Sequence, residues 1–125
     1  MESCPPDRIQ KAIAMSFYLY QIAYSPDAIK AMVAKPQDRA EAATRLVEAL
    51  GGKLHHLFFA FGKYDVICLI EGPDDKMMAA GAMAVAAAGT VSRSETVKLL
   101  TAAEAQEAME MAGKATGAYE APMAS

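Results

Sequence analysis

The sequence predicts an α+β domain of element order β-α-β-β-α-β, and three observations carry that prediction. Residues 16–24 (SFYLYQIAY) form an aromatic and β-branched run that holds no Gly or Pro and is stopped by Ser25-Pro26, which fits a pleated strand. Residues 53–61 (KLHHLFFAF) and 66–71 (VICLIE) are two further apolar runs separated by Gly62-Lys63-Tyr64-Asp65, the pattern of a hairpin. Between and after these runs lie segments with helix-start residues at one end and glycines at the other.

Taken in order, Ser25 supplies a hydroxyl cap, Pro26 fits the first helical position, and Asp27 sits at the positive end of the helix dipole. Pro36 lacks a backbone donor and clashes with the preceding turn, so the helix breaks near Lys35 and then resumes. In the resumed helix Ala40, Ala43, Leu46, Val47 and Leu50 share one apolar face, and Gly51-Gly52 provides a left-handed stop. After the hairpin, Gly72-Pro73-Asp74-Asp75 caps a helix over 76–88 whose many Ala side chains permit close approach to a sheet, and Gly89 closes it. Residues 91–100 (VSRSETVKLL) read as a fourth, more polar strand at a sheet edge. The domain proper is thus 15–101, preceded by an extension over 1–14 with a short helix expected over 7–14. It is followed by a helix over 102–113, started by the capping box Thr101-Ala102-Ala103-Glu104, and a flexible tail over 114–125.

Two βαβ halves in this order give a ferredoxin-like arrangement, a four-stranded antiparallel sheet with helices on one face and the first and third strands central. Both faces of that sheet are apolar. Phe17, Leu19 and Ala23 point one way while Tyr18, Tyr20, Ile22 and Tyr24 point the other, and Val66, Cys68 and Ile70 oppose Ile67 and Leu69. A helix-free face of this composition would leave a large apolar patch in water, so the sequence predicts a homodimer that packs sheet on sheet.

Composition excludes several classes. A net charge of -3 without any Lys/Arg cluster argues against a nucleic-acid partner. The longest uncharged stretch, 77–92, is shorter than the roughly 20 residues of a membrane span, and the first residues lack an apolar export segment, so no membrane partner is expected. Cys4 and Cys68 lie far apart with no C-x-x-C pair, which points to a reducing cytoplasm rather than a disulfide framework or zinc site. Cys68, inside an apolar run, is expected as a small buried hydrophobe.

The chemistry-bearing candidates are few. Gly62 is expected to take a positive φ in a tight turn, and the Asp65 carboxylate to fix that turn by accepting backbone N–H groups. Tyr64 and Asp65 would then stand at the mouth of any cleft beside the hairpin. Tyr18, Tyr20 and Tyr24 share a strand face and would serve either packing or a cleft lining. His55 and His56, adjacent in a strand, would point to opposite faces and so form no metal pair. A hydrogen-bonded or partly exposed strand histidine is the expectation for each, with one of them, His56 among the ligand candidates, as a general base the alternative. Arg93 and Glu95 would form an exposed pair on one side of the fourth strand, unless Arg93 holds an anionic ligand. No metal and no cofactor are predicted.

The motifs Gly51-Gly52-Lys53, Phe61-Gly62-Lys63-Tyr64-Asp65, Glu71-Gly72-Pro73-Asp74-Asp75 and Arg93-Ser94-Glu95-Thr96 resemble those of the GYD family, named for its Gly-x-Tyr-Asp turn, over residues 16–100. The resemblance implies a ferredoxin-like fold and a dimeric α/β barrel, in a family that is itself functionally uncharacterised. The stretch FGKYDVICLIEGPDD is also similar to the effector-binding domain of feast/famine transcription regulators, where a Gly-x-x-Asp turn lies near an amino-acid pocket between subunits. No helix-turn-helix segment or basic patch precedes it, so direct transcriptional control is not expected. The leading expectation is a non-catalytic small-molecule-binding or regulatory homodimer with Tyr64, Asp65, Tyr18, Tyr20, His56 and Arg93 as ligand contacts. A cofactor-independent α/β-barrel enzyme, of small monooxygenase or isomerase type, is the alternative, and a pure oligomerisation module the third.

Overall fold

The first apolar run forms β1 (Ser16–Tyr24), and Ser25 converts it into α1 (Pro26–Ala34) by accepting the Ala28 N–H on its hydroxyl at 3.2 Å. The structure, a computed structural model, describes residues 15–123; the extension over 1–14, with the helix expected within it, and the last two residues of the tail lie outside the described residues. Pro36 ends α1 as its chemistry requires, with Lys35 as C-cap, and Asp38 starts α2 (Arg39–Ala49) by accepting the Ala40 N–H at 2.9 Å. Then come β2 (Lys53–Phe59), β3 (Val66–Gly72), α3 (Asp75–Ala87) capped by Asp74, β4 (Val91–Leu99), and α4 (Ala102–Ala115).

All strand pairings are antiparallel and the sheet order is β2-β3-β1-β4, the ferredoxin-like arrangement, with the two most apolar strands in the centre. The core forms on one face only. Tyr18, Tyr20 and Ile22 of β1 and Val66, Cys68 and Ile70 of β3 pack with Val47 of α2 and Met77 and Met78 of α3. Val66, 1% exposed at the centre of this layer, contributes about 1.5–3 kcal/mol by leaving water. The apolar face read in α2 is the one that meets the sheet, with Leu50 packed at the margin of the cluster. The opposite face carries Phe17, Leu19, Ile67, Leu69, Val97 and Leu99 half-buried, and no described helix contributes to the buried cluster from that side.

Three details differ from the sequence reading. β2 ends at Phe59 rather than at residue 61, because the Ala60 N–H donates to the Asp65 carbonyl at 2.9 Å and closes a wider turn. Gly62 therefore needs no left-handed backbone; among the described residues only Gly51 (φ 87) and Gly89 (φ 78) adopt positive φ, at the helix stops where it was expected. The last helix runs through Gly113 to Ala115 and continues as a 3-10 turn over Thr116–Ala118, with Lys114 well placed at its negative end. Its capping box forms in both directions between Thr101 and Glu104.

Candidate functional site

The Gly-x-Tyr-Asp turn is held from inside the sheet. The Asp65 N–H donates to the Ile22 carbonyl at 2.8 Å, and its carboxylate accepts the Tyr24 N–H at 2.9 Å, so Asp65 ties the hairpin to the end of β1 just where that strand bulges. The carboxylate does accept a backbone N–H, but the donor is on β1, 41 residues away in sequence, rather than within the turn itself, which directs the carboxylate into the sheet margin.

Tyr64 lies against β4. Its hydroxyl donates to Glu95 Oε1 at 3.0 Å, while the Arg93 guanidinium stands 5.4 Å from its ring centroid and donates to the Lys63 carbonyl. Arg93 and Glu95 thus bracket the Tyr64 ring rather than pairing directly with each other. Desolvation and the Glu95 contact raise the Tyr64 phenol above its ordinary pKa. This cluster belongs to the helix-free side of the sheet, since Arg93 and Glu95 are opposite Ala23 and Gln21.

The histidines depart from simple alternation. A register shift between Leu54 and His56 inserts a bulge in β2, so both rings fall on the helix-free face instead of opposite ones. There His55 Nε2 meets Glu71 Oε1 at 2.8 Å and its ring lies 5.8 Å from Phe17, while the exposed His56 stacks on Phe58 at 5.6 Å. Even so, among the described residues no three His, Cys, Asp or Glu side chains group to hold a metal.

Tyr18 and Tyr20 lie on the other face, apart from Tyr64, Arg93 and His56. The Tyr18 hydroxyl donates to Asp75 Oδ1 at 2.6 Å, and Lys98 Nζ donates to the same oxygen at 2.9 Å, pinning the first turn of α3 to β1 and β4. Burial, then the bond to Asp75, raises the Tyr18 phenol; the bonds from Tyr18 and Lys98 lower the Asp75 carboxyl.

Between the sheet and helices α2 and α3 there is a cavity of about 130 Å³. Tyr20, Leu46, Leu57, Val66, Cys68 and Val85 are among its walls, and Arg39 is its one charged lining residue. Tyr20 is 6% exposed and its hydroxyl is buried; burial raises its phenol above the ordinary pKa, and Ser94 on β4, a hydrogen-bonding neighbour, partly offsets this. Burial pushes the Cys68 thiol up to about 11, so it stays neutral, a weak donor in the same wall.

The six predicted contacts therefore divide among separate places in one chain: Tyr20 at the cavity, Tyr18 at the α3 pin, Asp65 in the turn, and Tyr64, Arg93 and His56 on the helix-free face. Sequence reasoning did not single out Arg39 or the cavity. The available signal was the pair Ala42-Ala43 beside Leu46, short side chains at a face that must cover large strands.

A model of the GYD domain matches residues 18–109, from β1 into α4. The chain belongs to the GYD domain family. Of its name-giving residues, Asp65 bonds Ala60 at the end of β2 and Ile22 and Tyr24 of β1, and Tyr64 bonds Glu95 of β4, which ties one end of the sheet together. No curated protein matches this GYD domain. A solved structure similar to it is the NE2512 protein of unknown function from Nitrosomonas europaea, 20% identical, covering 72% of this chain and 94% of that chain with a TM-score of 0.40.

Proposed function

We propose that this GYD domain is a non-catalytic small-molecule-binding protein of the cytoplasm, acting as a homodimer through the helix-free sheet face, with its ligand site in the cavity under α2 and α3. The cavity carries this reading: an apolar space of about 130 Å³ between the sheet and helices α2 and α3, with Arg39 as its one charged lining residue. Its size is close to that of an engineered cavity of about 150 Å³ that accepts benzene, so one ring or a short branched chain fits. The homodimer is supported by the apolar side chains on the helix-free face, where Phe58 is 62% exposed.

Binding is preferred to catalysis on a geometric ground. Cofactor-independent chemistry would call for His56, Tyr64 or Asp65 in an enclosed pocket, and none of the three lines the cavity. A thermal-shift screen of amino acids and small metabolites tests the proposal, with Ala43→Leu as the variant that fills the cavity. At least one compound should raise the melting temperature of the wild type and not of the variant. If no compound stabilises the wild type, or the variant responds equally, the site is not this cavity.

A further inference from the structure

Arg39 occupies a place that selects for charge. It is the first residue of α2, lines the core cavity, and also borders a shallower cleft of about 270 Å³ formed by Ile29, Met32, Val33, Pro36 and Phe59. It stands where the two spaces adjoin. Among the described residues its guanidinium makes one side-chain hydrogen bond, to Gln37 Oε1 at 2.7 Å, and pairs with no carboxylate. The neighbouring Asp38 carboxylate is engaged in capping the Ala40 N–H. A guanidinium has five donors in a fork that suits a carboxylate, and the N-terminal end of α2 adds a positive field in the same sense.

We infer that the cavity takes a small monocarboxylate without an α-amino group, its apolar body among Leu46, Leu57, Val66 and Val85 and its carboxylate on Arg39. This rests on the cavity being the ligand site. Every other lining residue is uncharged, so a dianion would have one partner for two charges, and an ammonium would meet Arg39 with no carboxylate among the lining residues to receive it. That last point sets the site apart from an amino-acid pocket.

The test is an NMR titration of the full chain with isovalerate and benzoate, each beside its amide, and with valine, which adds an amino group to the isovalerate skeleton. Signals of Val66 and Val85 should report binding of both acids about tenfold tighter than of their amides or of valine. Arg39→Gln should erase that preference while keeping a dispersed spectrum, and Arg39→Lys should restore part of it. The inference is overturned if amides or valine bind as tightly as the acids, or if Arg39→Gln leaves the preference unchanged. If acids and amides alike leave these signals unmoved while another compound from the thermal screen shifts them, the monocarboxylate class is wrong and the cavity site stands. If nothing shifts them, both fall.

Discussion

The Asp65 carboxylate accepts the Tyr24 N–H at 2.9 Å, joining the turn between β2 and β3 to the bulged end of β1. An ionised acceptor on a backbone donor is worth about 1.5–3 kcal/mol, and removing it leaves the Tyr24 N–H unpaired. Asp65→Ala should therefore lower unfolding free energy by about 1.5–3 kcal/mol in urea titrations, and Asp65→Asn by less. A loss under 0.5 kcal/mol would show that the turn does not depend on this bond.

Glycines near the motif should differ sharply. A Cβ at Gly62 meets nothing within 4 Å and the residue has no positive φ, so Gly62→Ala should change stability by less than about 0.5 kcal/mol. At Gly52 a Cβ would lie 2.6 Å from the Glu71 carbonyl oxygen and 2.6 Å from Met77 Cε. Gly52→Ala should cost about 1–3 kcal/mol or more, because backbone cannot yield as a side chain does. Thermal unfolding of the two variants in parallel checks the contrast.

Much of the fold was legible because its signals are local. Ser25-Pro26, Pro36, Gly51, Gly89 and the Thr101–Glu104 box act within a few residues, and the apolar density of β1 and β3 marks them as central strands. What was not legible depends on register and packing. The bulge at His55 that puts both histidines on one face is set by the pairing of β2 with β3, and the bracketing of Tyr64 by Arg93 and Glu95 joins residues 29 and 31 positions away. The cavity left only a faint trace in the sequence, the short side chains Ala42 and Ala43, since a void is what remains where these and Gly81 fall short of the strands beneath them.

The Tyr18–Asp75–Lys98 pin gives stability a pH dependence on both sides of neutrality. Asp75 is lowered in the folded state, so its contribution is present above the ordinary carboxylate range and is lost as pH falls through its folded value. Tyr18 is raised by burial and then by Asp75, and Lys98 by Asp75, so theirs is present below their ordinary values and is lost as pH rises through the folded ones. Urea midpoints should be flat near neutrality, falling below about pH 4 and above about pH 10. Asp75→Asn should flatten the acid limb; an unchanged acid limb would assign it to other carboxylates.

Leu69 lies on the helix-free face, opposite Leu19 on β1 and His56 on β2. Leu69→Asp should convert a wild-type dimer to a monomer by light scattering while circular dichroism retains the folded spectrum, since the helix-side core is untouched. A wild-type monomer, or a variant that remains dimeric, would contradict the sheet-on-sheet pairing.

The most direct measurement is a crystal structure of the full chain with a compound that passes the thermal screen. Density for one compact molecule should lie between the sheet and helices α2 and α3, in contact with Tyr20, Val66 and Val85 and reaching Arg39. Density elsewhere, or that space closed by repacked Leu46 and Leu57 side chains, would contradict a ligand site in the GYD domain core.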